Sequence, residues 1–170
     1  MHPAKLKLAA LQLLGGPAVL GSYVYSFSRW PALVGDMWGG VPDSIRVVYT
    51  GWMFVAAAGY LVFTALFFFR TDPETAKVQG VGFGLLNLHY ALVLLPSAAW
   101  MPLTGLMLEG ANGFLWWPIK IGLWLTLAGS LGLLASCITL EPRWPKGQRA
   151  LAIAGALAFC VQTVLLDGII

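Results

Sequence analysis

The residues of this chain that could carry chemistry are few, and most of them lie in apolar surroundings. His89 stands in Asn87-Leu88-His89-Tyr90, near the middle of an uncharged stretch running from Val78 to Leu108. An ionisable side chain at such depth is rare and marks a functional candidate. Two readings stand for it. It is either a neutral imidazole hydrogen-bonded between helices or the axial ligand of a five-coordinate porphyrin iron. A haem held by two histidines of one chain is excluded, because the other histidine is His2. Gln12, Asn87 and Gln162 lie in three different apolar stretches and read as hydrogen-bonding partners that join helices.

Positive signs of catalysis are missing from the sequence. It holds no adjacent pair of intramembrane carboxylates, no Ser-His-Asp set at compatible depth, and no Walker or dinucleotide glycine motif. Cys137 and Cys160 are isolated in apolar runs and form no metal-binding spacing, so no metal site is expected. Glu109 and Asp167 fall at the ends of apolar stretches, where they are expected to stay hydrated. Gly80-Val81-Gly82-Phe83-Gly84 has the look of a phosphate loop, but no strand precedes it, and it reads as helix packing.

Flat apolar faces are the more abundant resource. Trp38, Trp52, Trp100 and Tyr60 offer them, and Pro96 and Pro102 each deprive a helix carbonyl of its donor. Together with His89 and Pro102, these four aromatics form a candidate ligand-binding set for a planar hydrophobic molecule. A porphyrin or haem is the cofactor such a set would take, although the residues themselves fix none. Plain core packing is the competing explanation.

The elements that must position these groups follow from composition. The 170 residues are 59% hydrophobic and only 10% charged, with a mean hydropathy of +0.79, which excludes an ordinary soluble domain. Charges divide the chain into uncharged stretches, and a bilayer core needs roughly 20 apolar residues per helix. Five spans fit: Leu8 to Phe27, Val47 to Phe69, one within Val78 to Leu108, Ile121 to Leu140, and Ala150 to Leu166. The first lacks a cleavage site and reads as a retained span. The expected fold is an all-α integral membrane bundle of five transmembrane helices in a single domain over residues 1–170. Its third helix is kinked by Pro96 and Pro102.

The loops carry two further messages. The net charge of +3 reflects basic loop ends rather than a nucleic-acid partner. Lys5, Lys7, Arg70, Lys77, Arg143, Lys146 and Arg149 fall on one side, against Arg29, Arg46 and Lys120 on the other. That bias predicts a cytoplasmic amino terminus and an external carboxyl terminus. The first loop, Arg29 to Ser44, is long and apolar, with Trp30, Leu33, Val34, Met37 and Trp38. It either folds back as a lid over a cavity or supplies an interfacial aromatic belt.

Two stretches resemble the translocator protein family, also called tryptophan-rich sensory proteins. One runs from Arg29-Trp30 through Trp38 and Pro42 to Gly59-Tyr60; the other is Ser97-Ala98-Ala99-Trp100-Met101-Pro102, similar to the family's Asn-Trp-x-Trp-x-Pro. Ser97 and Ala98 stand where the family has Asn and its first Trp, and Gly39 to Val41 interrupt its Trp-x-Pro-Pro element. The resemblance implies a bundle whose upper cavity, covered by the first loop, binds porphyrins, sterols or similar flat ligands, commonly in a homodimer. The function expected is therefore a membrane ligand-binding protein of sensor or transporter type, whose partners are the lipid bilayer and a small apolar ligand. The alternatives are a structural subunit contacting lipids, pigments or other membrane chains, and an intramembrane enzyme centred on His89.

Overall fold

The computed structural model describes residues 2–110 and 113–167. Five helices are long and apolar enough to cross a membrane: Pro3–Arg29, Asp43–Arg70, Gly84–Gly110, Gly113–Thr139 and Lys146–Leu166. The chain is an integral membrane protein with an all-α bundle of five spans, as its hydropathy predicts. Helices are the form that lets each span satisfy its own backbone in lipid.

The spans form a ring that departs from chain order. The first packs on the third, the third on the fourth, the fourth on the fifth and the fifth on the second. Small residues set the closest approaches. A side chain on Gly59 would collide with the backbone of Gly155, so only paired glycines let the second and fifth spans come this near. Outward faces are greasy: Leu13, Val47, Phe54 and Phe69 are each more than 70% exposed, which in a bilayer means lipid contact rather than a solvation penalty.

The main core lies at the end of the bundle that holds the amino terminus. Leu8, Phe63, Phe67, Phe83, Leu86, Tyr90, Leu133 and Trp144 are buried together there. Trp144 packs edge-on to Phe67, ring centroids 4.8 Å apart, and its Nε1 donates to Thr71 Oγ1 at 3.1 Å. The indole N–H is thereby satisfied, as a buried tryptophan requires.

The glycine run at the start of the third stretch is not all helix packing. Lys77–Val78 and Val81–Gly82 form a small antiparallel hairpin, and the helix begins only at Gly84. Gln79 and Gly80 both have positive φ, 52° and 76°, the geometry of a two-residue hairpin turn. Turn chemistry therefore prevails over apolar periodicity here. Pro96 and Pro102 both lie inside the third helix, which runs unbroken from Gly84 to Gly110.

Two π-helical turns interrupt the spans. The one at Leu11–Gly15 sits just before Pro17, whose missing N–H cannot complete an ordinary turn. The other, Val161–Leu166, ends the fifth span and brings the Asp167 amide onto the Gln162 carbonyl at 2.9 Å.

Candidate functional site

A cavity of about 790 Å³ opens at the end of the bundle away from the core. Its walls come from every span and from the first loop. The first span contributes Val19, Tyr23 and Phe27, one side chain per turn; the third contributes Ser97, Trp100, Thr104 and Met107, at helical three- and four-residue spacing. Tyr23 and Trp100 meet edge to face, their centroids 5.9 Å apart. Trp116, Lys120, Met53 and Phe159 complete an interior that is aromatic and aliphatic with few polar atoms. Such a surface suits a flat apolar body.

The first loop folds back over the bundle. Its Asp36, Met37, Trp38, Gly39 and Val41 all line the cavity, while Leu33 and Val41 are buried. Several contacts hold it there. At one end Glu109 accepts from Arg29 Nη2 at 2.9 Å and from Trp30 Nε1 at 2.8 Å. The Trp30 ring occupies the space that a side chain on Gly105 would need. At the other end Arg46 Nε donates to the Val41 carbonyl at 3.2 Å, and the guanidinium lies 6.0 Å from the Trp38 ring centroid. The turn between these anchors uses Gly39 at φ 53°, a conformation glycine adopts without strain.

Polar groups are concentrated at the carboxyl-terminal edge of the cavity. Gln162 and Asp167 both line it, and Gln162 Nε2 donates to Asp167 Oδ1 at 2.8 Å. Asp167 is not the freely hydrated group that its place at a span end suggests. Burial pushes its carboxyl up to about 6, partly offset by the hydrogen bond from Gln162. The hydroxyls of Thr104, Thr126 and Thr163 are already committed to carbonyls within their own helices. Gln162 Oε1 is buried and has no partner among the described residues.

Of the sequence-predicted set, Trp38 and Trp100 lie on the cavity wall and the other four lie elsewhere. Trp52 ties the second span to the fifth through Nε1 and the Ala158 carbonyl, 3.1 Å apart. Tyr60 sits beneath the cavity, against Phe159 at 5.3 Å between centroids, and donates to Gln12 Oε1 at 2.8 Å. Pro102 is on the third span but outside the row of residues that faces the cavity. His89 is near the opposite end of that span, roughly 16 Å below Trp100 at 1.5 Å rise per residue.

The surroundings of His89 explain its burial. Ser136 Oγ gives its own proton to the Gly132 carbonyl at 2.6 Å, and lies 3.2 Å from His89 Nδ1, from which it can accept. Gln79 Nε2 also donates to that oxygen, at 3.3 Å. His89 Nε2 faces Gly132 so closely that a Cβ there would lie 2.6 Å away. The ring is wedged between two helices. Among the described residues, no group of three His, Cys, Asp or Glu side chains is placed to hold a metal ion.

Sequence reasoning missed Tyr23, Gln162 and Asp167 as wall residues. The signal for Tyr23 was present, since Val19, Tyr23 and Phe27 recur every four residues. The pairing of Gln162 with Asp167 depends on the π-turn that joins them, which leaves no sequence signature. Compared with family models, with curated proteins and with solved structures, the chain matches none.

Proposed function

We propose that this protein is a membrane ligand-binding protein of sensor or transporter type, whose ligand has a flat apolar body in the size range of a porphyrin or sterol. The observation that carries this reading is the cavity beneath the first loop, with Trp38 on its cover and Trp100 on its wall. A packed structural subunit has no need of a tethered cover over an aromatic chamber. In this reading the amino terminus is cytoplasmic and the cavity opens toward the external side. The support for that orientation is the concentration of basic residues at the end with the core, seven against three.

The test is a fluorescence titration of the purified chain in lipid nanodiscs with protoporphyrin dimethyl ester, which is flat and uncharged. Saturable quenching of tryptophan emission at a stoichiometric plateau is expected. Quenching that rises without saturation would indicate partition into lipid alone and contradict the reading. Size-exclusion of the same sample as a monodisperse monomer or small homo-oligomer is expected of a self-contained binder; loss of order on isolation would favour the structural subunit.

A further inference from the structure

Within the cavity, the polar groups left free for a ligand are not evenly mixed in kind. Gln162 Nε2 is used by Asp167, and that bond fixes which way the amide is turned. Its Oε1 is therefore the end without a partner among the described residues. The second oxygen of Asp167 is also an acceptor. The nearby threonine hydroxyls donate within their own helices. Apart from the Tyr23 phenol, whose oxygen takes the Trp100 N–H, this edge offers acceptors among the described residues, and a buried acceptor left without a donor costs about 1–3 kcal/mol.

Charge points the same way. Among the described residues, the ionisable groups on the cavity lining are Asp36 of the first loop, Lys120 of the fourth span and Asp167, together with the phenols Tyr23 and Tyr49. The carboxylates outnumber the ammonium. Lys120 Nζ is directed to the Trp116 ring, 5.6 Å from its centroid. Asp167 is close enough to Tyr23 to act on it electrostatically, and Tyr23 is in edge contact with Trp100. A carboxylate, an amide carbonyl and electron-rich ring faces thus converge on one edge of an apolar chamber. Ring faces and carboxylates both attract a cation that brings its own N–H donors.

We infer that the ligand is a hydrophobic amine: its flat apolar body lies among the cavity aromatics and its ammonium group is held by Asp167 and the Gln162 carbonyl. This rests on the proposed function, which sets the apolar body, and adds the polar end. Loading then depends on pH. Because burial pushes Asp167 up to about 6, the carboxylate is ionised at pH above that value and holds the ammonium. As pH falls through about 6 it becomes protonated and the amine is released. Among the described residues, the other charged or titratable groups on this lining are Tyr23 of the first span, Asp36 of the first loop, Tyr49 of the second span and Lys120 of the fourth.

The experiment compares three probes with one pyrene body: pyrenylmethylamine, methylpyrene and pyrenylacetate, titrated into the full chain in nanodiscs and read by tryptophan quenching relative to Trp38→Ala. At neutral pH the amine should bind ~10-fold or more tightly than methylpyrene, and the acetate more weakly than either. Asp167→Asn, which keeps an acceptor for Gln162, should bring the amine to the affinity of methylpyrene and leave methylpyrene unchanged. Gln162→Met should weaken the amine alone. Methylpyrene binding as tightly as the amine, with Asp167→Asn neutral, would overturn the amine assignment and leave the proposed function standing. Absence of saturable binding by all three would overturn both. If Asp167→Asn fails to fold, the pH series on the native chain decides: amine affinity that is flat from pH 7.5 to about 5 contradicts the inference.

Discussion

The indole of Trp30 occupies the volume that a side chain on Gly105 would fill, and its Nε1 donates to Glu109, one turn further along the third span, at 2.8 Å. The start of the first loop is thus keyed into a notch that exists because residue 105 has no Cβ. Gly105→Ala should expel the ring. Amide hydrogen exchange across residues 31–41 should accelerate by about tenfold, as expected for a loss near 1–2 kcal/mol of local stability. Unchanged exchange would mean the loop is held by its other anchor alone.

Glu109 holds two partners, and they are not equivalent. The Arg29–Glu109 pair is half exposed, with side chains 55% and 44% accessible, so removing it should cost about 0–1 kcal/mol. Arg29→Gln should therefore leave loop exchange nearly unchanged. Glu109→Ala also orphans the Trp30 N–H and should loosen the loop much as Gly105→Ala does. Equal effects from Arg29→Gln and Glu109→Ala would show that the ion pair, not the indole, is the anchor.

His89 belongs to the helix packing. Its ring fits against Gly132, and Ser136 is placed to accept from its Nδ1. His89→Gln should bind protoporphyrin dimethyl ester as the native chain does, whereas Gly132→Val, which forces the third and fourth spans apart, should lower the thermal midpoint by several degrees. Loss of porphyrin binding in a folded His89→Gln chain would restore the reading of His89 as a ligand.

Sidedness is open to a direct check. In a background with Cys137 and Cys160 replaced by Ala, single cysteines at Gly113 and Gly147 occupy open positions where a Cβ meets nothing within 4 Å. An impermeant maleimide added to intact cells should label the first and spare the second. The opposite pattern would place the cavity mouth on the cytoplasmic side.

Much of this architecture can be read from the residues. Five apolar stretches bounded by charge give five helices because lipid leaves the backbone no other economical form. The length and apolar character of Arg29–Ser44 leave a lid and an interfacial belt equally open; the structure brings Trp38 of that loop and Trp100 of the third span to one cavity. What could not be read is the order of helices in the ring, which rests on side-chain fit such as Gly59 against Gly155. Trp52, Tyr60 and His89 were attractive as site residues because they are aromatic or ionisable in apolar sequence. Each instead finds its partner in a neighbouring helix, and sequence spacing within one helix says nothing about what faces it across the interface.

The most direct test of the central claim is the affinity of protoporphyrin dimethyl ester for Trp38→Ala, Trp100→Ala and Trp124→Ala chains. Trp38 and Trp100 line the cavity from loop and span, while Trp124 is half exposed on the outer face of the fourth span. Truncating a stacking aromatic removes about 1–3 kcal/mol, so Kd should rise roughly 5- to 150-fold in the first two variants. It should stay unchanged in the third. Equal affinity in all three would contradict the cavity beneath the first loop as the ligand site.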